Sequence, residues 1–500
     1  MYENGTIYDP DHEHQAGTAL LVQGDRIRAI GSAEDLASAA TSRIDLDGAT
    51  LYPGFVDAHA HFIDTGAMTS RVDLGGAGSV NEVMGRLHGG RATATDGWLH
   101  SGNLDENFLI ERRLPTIVEL DSIGGGMPLH INHRSYHWTL VNTAGLAALD
   151  LPSDMRGIGR DGAGNPTGLL DKDANALAKK RVAEIVPDRV IDAAITSAAE
   201  LAARAGLTSV HCIEGGDEYG GRRFVERLQT RDDLTFEATI YFNTTEPSEA
   251  AALGLRQVGG DITVDGSISN WTAAFLGGYE DRTGEEGHLY YSSNELEAMI
   301  ESAHILGLQI GLHAIGDRAI DQALTAFEAV LGRHPARDHR HRIEHFGLPR
   351  PRDIARAREL GLVITVQPGF MFQKLPTYRT RLGARSDKLY PLRTMYEAGV
   401  ALAGSSDSMV SPFDPLFGIA AAVNGPVPSE RIGIRAAIDL YTRGGAYAGF
   451  REHEVGALKP GMYADFAVLD RDLRLVEPSE ITDTQVMRTV FRGRSVFVRE

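Results

Sequence analysis

Cysteine is almost missing from this chain: Cys212 stands alone among 500 residues, so no intrachain disulfide can form and a reducing compartment suffices. Positive charge is also short, with 49 Lys and Arg against 68 Asp and Glu and a formal net charge of -19. A surface so poor in cations is unsuited to a nucleic-acid backbone or an anionic membrane. The acidic residues are spread along the chain rather than gathered in runs, the pattern of a solvated surface. No apolar run is long enough to span a membrane, and Met1-Tyr2-Glu3-Asn4-Gly5 lacks the basic-then-apolar start of a signal peptide. Internal repeats and low-complexity tracts are absent too. A cytoplasmic protein with no nucleic-acid or membrane partner is therefore expected. The remainder, 42% hydrophobic and 23% charged residues, has the composition of a globular enzyme large enough for a barrel and an accessory domain.

Both ends of the chain read as short strands. Thr18-Ala19-Leu20-Leu21-Val22, Arg26-Ile27-Arg28-Ala29-Ile30-Gly31 and Arg43-Ile44-Asp45-Leu46 precede residue 50, with a turn at Gly24-Asp25. Asp465–Leu469 and Val490–Phe497 share that texture, with Gly493 at a hairpin turn. Neither end has enough apolar surface alone, so residues 1–50 and 456–500 are expected to build one composite β-sandwich. Between them lie strand-like segments at Phe55–Phe62, Leu207–Glu214, Phe236–Phe242, Ile262–Ser267, Gln309–His313, Arg342–Phe346, Val363–Gln367 and Ala401–Ser405. Amphipathic helices such as Asn294–Leu306, Ala319–Leu331 and Pro351–Leu360 separate many of them. Alternation of strand and helix means parallel strands with right-handed crossovers. The expected fold class is α/β: a (β/α)8 TIM barrel over 51–72 and 176–455, the terminal sandwich, and an insertion after the first strand, 73–175, bordering the active site.

Pro53-Gly54-Phe55-Val56-Asp57-Ala58-His59-Ala60-His61 concentrates the chemistry. Side chains alternate along a strand, so His59 and His61 project to one side, close enough to grip one metal ion. Catalytic residues of such barrels gather at the C-terminal ends of the strands. Those ends carry His59 and His61, then Glu214, His313, His345 and Asp407. Histidines with carboxylates form a nitrogen/oxygen set suited to zinc, with manganese or iron as alternatives. In the insertion, Asn132-His133-Arg134-Ser135-Tyr136-His137-Trp138 crowds aromatics and cations as a pocket wall does. Tyr136, His137 and Trp138, together with Trp271 after the fourth strand and Gln367 at the end of the seventh, are the candidate substrate contacts. Glu344 alternates away from His345 and is expected in a buried ion pair with an arginine.

The motifs at 53–61, Asp-Gly-Ser at 265–267, His-Ala-Ile-Gly-Asp-Arg-Ala at 313–319, His-Arg-Ile-Glu-His at 341–345, Gly-Ser-Ser-Asp-Ser at 404–408 and Gly-Ala-Leu-Lys-Pro-Gly-Met-Tyr-Ala-Asp at 456–465 span nearly the whole chain. In these the sequence resembles the amidohydrolase superfamily, and within it the YtcJ-like branch that includes N-substituted formamide deformylases. The resemblance implies a barrel with a composite sandwich, and a metal site served by His59, His61, His313, His345 and Asp407. Many such relatives carry a lysine four residues before the Asp-Gly-Ser aspartate, whose carbamate bridges two metals. Asp261 holds that position here, and its side chain reads as too short and too deep in its strand to reach the mouth. Glu214 is therefore expected to supply the missing carboxylate.

The expected activity is metal-dependent hydrolysis of a non-peptide C–N bond, an N-acyl or N-formyl amide of a small molecule, by metal-activated water, with one or two ions. Asp407 would orient the water and move its proton, and His313 would help hold the oxyanion. Cyclic amide hydrolysis or deamination on the same site is the alternative, and a regulatory or binding protein that keeps the fold is a second. A homo-oligomer acting on a small molecule is expected.

Overall fold

The computed structural model describes residues 1–11, 16–94, 97–134, 138–216, 220–335 and 338–500. It divides into two compact units, Met1–Phe62 with Ala199–Ile213 and Asp232–Glu500, and Ile63–Ala198 with Glu214–Arg231.

An eight-stranded parallel sheet forms the centre of the first unit. Its strands are β1 (Phe55–Ala60), β2 (Leu207–Glu214), β3 (Glu237–Phe242), β4 (Gln257–Thr263), β5 (Gln309–Ala314), β6 (Arg342–His345), β7 (Val363–Val366) and β8 (Ala401–Gly404). They neighbour one another in sequence order. The sheet nearly closes into a barrel: beyond the end of β8, Asp407 N–H donates to the His59 carbonyl (2.8 Å) and His61 N–H to the Ser408 carbonyl (2.8 Å). All six residues of β1 are buried, as in a strand covered on both faces. Gly54 is required at its entrance, because a Cβ there would meet Thr208 Oγ1 at 2.0 Å. Helices Ser293–Ile305, Asp317–Arg333 and Pro351–Glu359 alternate with the later strands, within two residues of the expected bounds.

The fourth strand differs from expectation. It runs over Gln257–Thr263 instead of Ile262–Ser267. Gly259 pairs with Gly311 and Ile262 with Leu312, so two residues of β4, Gly260 and Asp261, bulge out against a single step of β5. Both glycines have left-handed backbone (φ 75° and 93°), which is why a segment that reads as a loop is a strand.

The chain ends form two further sheets. One orders Arg26–Gly31, Ala19–Gln23, Tyr2–Glu3 and Ile44–Asp45; the other orders Thr6–Ile7, Thr50–Pro53, Phe466–Leu469, Val486–Phe491 and Arg494–Val498. The second mixes strands from both termini. A shared core of Tyr2, Ile7, Leu20, Ile27, Leu51, Phe466, Val468 and Val490 packs between them. Burying each of the larger of these contributes about 2 kcal/mol, which neither terminus can obtain alone. The hairpin turn before Arg494 uses Arg492 and Gly493, both with positive φ (50° and 75°).

The second unit is built on a six-stranded sheet ordered Ile158–Arg160, Pro166–Asp171, Trp138–Val141, Leu129–His133, Leu99–Leu104 and Val72–Asp73. Leu74, Val83, Leu87, Leu99, Leu120 and Ile131 are in its core. No helix among the described residues is long and apolar enough to cross a membrane.

Candidate metal centre

The C-terminal ends of β1, β4, β5, β6 and β8 bring together His59, His61, Asp261, His313, His345 and Asp407. Strand alternation puts the His59 and His61 rings side by side, centroids 5.6 Å apart and nearly perpendicular. Asp407 Oδ1 lies 3.3 Å from His61 Nε2 and 3.6 Å from His59 Nε2. Asp261 Oδ1 lies 3.1 Å from His313 Nδ1, and its Oδ2 lies 4.0 Å from His61 Nε2. Ligand atoms of His59, His345 and Asp407 all fall within 4.8 Å of one another, as do those of Asp261, His313 and His345. Atoms sharing one tetrahedral ion at roughly 2.0 Å lie about 3.3 Å apart, so these are the spacings of co-ligands.

The proton positions fit a metal. His59 Nδ1 sits 2.9 Å from Glu344 Oε2, an acceptor only, so Nδ1 carries the proton and donates. Nε2 is fully buried and without a hydrogen bond, and in the neutral ring it would offer its lone pair to an ion. His345 Nδ1 donates to Gln367 Oε1 (2.8 Å), and that amide is oriented by its own donation to Ser405 Oγ (2.9 Å). Burial, then His313, lower His345 to about 4, keeping it the neutral ring a metal ligand must be. Around His59 the reverse holds. Burial opposes its charged form, yet Asp407 and Glu344 raise it to about 10, a pocket that calls for a cation. Burial likewise works to raise Asp407, but His59 and His61 hold its carboxyl well below the ordinary range.

Supporting groups fix this geometry. Glu344 is wholly buried and clasped by Arg342, Nε to Oε1 at 2.8 Å and Nη2 to Oε2 at 2.7 Å. Arg342 also donates to the Ala58 carbonyl (2.7 Å) and to His211 Nδ1 (2.9 Å), over the Tyr241 ring. Against the push of burial, Arg342 and His59 lower Glu344 to about 2. Asp57 receives the His59 and Ser406 amides at 3.2 and 3.0 Å, joining β1 to the loop after β8, while burial lifts its carboxyl to about 6. Asp265 takes the amides of Ala274, Ile315 and Gly316, all within 2.9 Å, and so shapes the turn after β5. His345, Phe346 and Asp407 all have positive φ (69°, 49° and 53°), strain held in place by the surrounding pairing.

One expectation changes here. Asp261 is not too short: the Gly259-Gly260 bulge lifts its carboxylate up to His313. The adjacent glycines before it were the available signal. Glu214 Oε1 accepts from the Ile63 amide at 2.9 Å, and Glu214 belongs to neither group of ligand atoms. Among the pocket candidates, Gln367 is buried and orients His345. The Trp271 indole donates to Asp281 Oδ1, and its two close guanidinium neighbours are Arg282 and Arg381 at 3.3 and 3.5 Å. Trp138 stacks on His133 at 4.3 Å in the second unit. Tyr136 and His137 lie outside the described residues. Sequence reasoning also missed that Glu344, besides its arginine pair, orients His59.

Comparison with known proteins agrees with this geometry. Residues 43–497 match the model of the amidohydrolase family. YtcJ of Bacillus subtilis is 29% identical over 99% of this chain and 99% of its own length. The N-substituted formamide deformylase of Arthrobacter pascens is 27% identical over 99% of this chain and 97% of its own. The crystal structure of an uncharacterized metal-dependent hydrolase from Pyrococcus furiosus superposes with a TM-score of 0.80 at 29% identity, covering 95% of this chain and 99% of that one.

Proposed function

We propose that this chain, which belongs to the amidohydrolase family, is a metal-dependent hydrolase cleaving the non-peptide C–N bond of a small N-acyl or N-formyl amine. The observation that carries this reading is the fully buried Nε2 of His59, which makes no hydrogen bond, is aligned by Glu344 and faces Asp407. His59, His61, His313, His345 and Asp407 are the residues that would hold the ion. A divalent ion bound there, zinc by its donor set with manganese or iron as alternatives, supplies Lewis acidity that polarises a carbonyl and acidifies water.

Asp407 does the proton work. Its carboxylate, ionised and within reach of two histidines, orients a water and accepts its proton as the water oxygen attacks the carbonyl carbon. The C–N bond then breaks and the same carboxyl returns the proton to the departing nitrogen, giving a carboxylic acid and an amine. Gln367 and Glu344 keep the His345 and His59 rings from turning during these steps. The Arthrobacter relative's name supports an N-formyl substrate, and the Pyrococcus relative supports metal dependence.

Asp407→Asn keeps the shape and an oxygen but not the base. The variant is expected to bind metal and to lose at least about a hundredfold in kcat, the lower part of the range for a lost general base. Wild-type turnover in Asp407→Asn would refute the assignment.

A further inference from the structure

The second unit holds a cavity that the hydrolytic chemistry does not use. It offers about 110 Å³ to the centre of a water molecule, where one bound water needs roughly 10–15 Å³, so a small organic molecule fits. Every residue lining it belongs to the second unit, and none is a residue of the metal centre.

Strand pairing builds one wall. Trp98 and His100 lie two residues apart on one face, and His130 sits beside His100 in the neighbouring strand, Leu129–His133. The Trp98 and His100 rings stack with centroids 6.0 Å apart, and His100 meets His130 edge-on at 5.7 Å. Ala67, Val182, Ile191 and Ala194 add apolar surface from three helices, Phe62–Met68, Lys172–Ile185 and Asp188–Arg204.

The charges in this lining do not cancel. Arg71 and Lys179 are cationic, and Asp64 is the one carboxylate. Asp64 Oδ1, 3.3 Å from Arg71 Nη2, is the one oxygen acceptor the guanidinium meets among the described residues; Met68 Sδ, a weak acceptor, is 3.8 Å from Nη1. The Arg71 side chain is only 18% exposed, so a five-donor fork stands largely out of bulk water with capacity to spare. His130 is buried, and burial first, then His100, Arg71 and Lys179, hold its pKa well below the ordinary histidine value. It therefore adds no third cation, and its Nε2 makes no hydrogen bond, an unmet polar demand at the wall. An amine entering here would meet net positive charge.

We propose that this cavity binds a small carboxylate carried on an apolar body, such as an arylacetate, with its charge against the Arg71 fork and its body against Trp98 and the helix side chains. Arginine matches a carboxylate with two parallel N–H donors, and a flat apolar body suits the aromatic wall. The site stands in the second unit alone, independent of the hydrolytic activity.

The test titrates phenylacetate into the full chain by isothermal calorimetry, with a divalent ion bound and again after chelator treatment. Wild type is expected to bind one equivalent that survives the chelator, which separates this site from coordination to an ion. Phenylacetamide has the shape without the charge, and acetate the charge without the body; each is expected to bind at least about tenfold more weakly. Arg71→Gln is expected to lose about tenfold or more for phenylacetate and nothing for phenylacetamide. Val186→Trp, which fills the cavity, is expected to weaken both. Binding that requires the divalent ion, equal affinity for acid and amide, or undiminished phenylacetate affinity in Arg71→Gln would each overturn the assignment. So would wild type that binds no phenylacetate at millimolar concentration.

Discussion

Removing the charge of Glu344 is predicted to damage two properties at once, by separable routes. Arg342 and Glu344 are both fully buried, and Glu344 Oε2 also accepts from His59 Nδ1. Glu344→Gln preserves shape but leaves the Arg342 guanidinium without a counter-charge. Breaking one side of a buried pair costs about 3 kcal/mol, so the metal-free protein should lose stability of that order. A neutral amide can also present either its oxygen or its nitrogen to His59, so the ring is no longer fixed with Nε2 as the lone pair. Losing such an orienting partner weakens metal binding by roughly 10–100-fold. Urea unfolding of the apoprotein reads the first effect, and competition with a chromogenic chelator reads the second. Arg342→Met added to Glu344→Gln should recover much of the stability by removing the uncompensated charge, yet none of the affinity. A Glu344→Gln protein with wild-type stability and wild-type metal affinity would refute the reasoning.

Two further outcomes follow from the same structure. Gly259→Ala would place a Cβ 2.4 Å from the Gly311 carbonyl oxygen on backbone with φ 75°, so it should cost about 2 kcal/mol in chemical unfolding and, by shifting Asp261 away from His313, weaken metal binding; an unaltered protein would remove the bulge from the account. Asp465 is buried, and burial raises its carboxyl to about 6 against the opposing Arg492 amide and guanidinium. Its folded value lies above the unfolded 3.8, so the folded state binds the proton more tightly, and stability falls as pH rises from about 3.8 through about 6, by up to about 3 kcal/mol. Asp465→Asn should accordingly raise the melting temperature over wild type at pH 8 and give no gain at pH 4; a gain confined to pH 4 would reverse the sign.

Much of the barrel was legible because its strands obey local rules. Leu207–Glu214 follows a helix and carries Leu207, Thr208, Val210 and Ile213 before two glycines, and the apolar and β-branched residues of β5, β7 and β8 mark those strands in the same way. His59, His61, His313, His345 and Asp407 could be found because each follows such a run, and the structure brings all five together. β4 was misplaced for the opposite reason: Gly259 and Gly260 look like a break, and only pairing with β5 reveals a strand that bulges. That single error hid Asp261. Gln367 reads from sequence as a candidate substrate contact, but its bond to His345 is oriented through Ser405, 38 residues away. The partnership of Glu344 with His59 spans 285 residues, and no periodicity carries such a pairing.

The most direct measurement of the central claim is product release from a panel of N-formyl and N-acyl amines by metal-free and reconstituted protein, with formate or acid and amine quantified together. The account predicts equal amounts of acid and amine, hydrolysis only after a divalent ion is restored, and loss of that hydrolysis in Asp407→Asn. Undiminished hydrolysis by the metal-free protein, or a metal-loaded protein that cleaves none of these bonds, would contradict it.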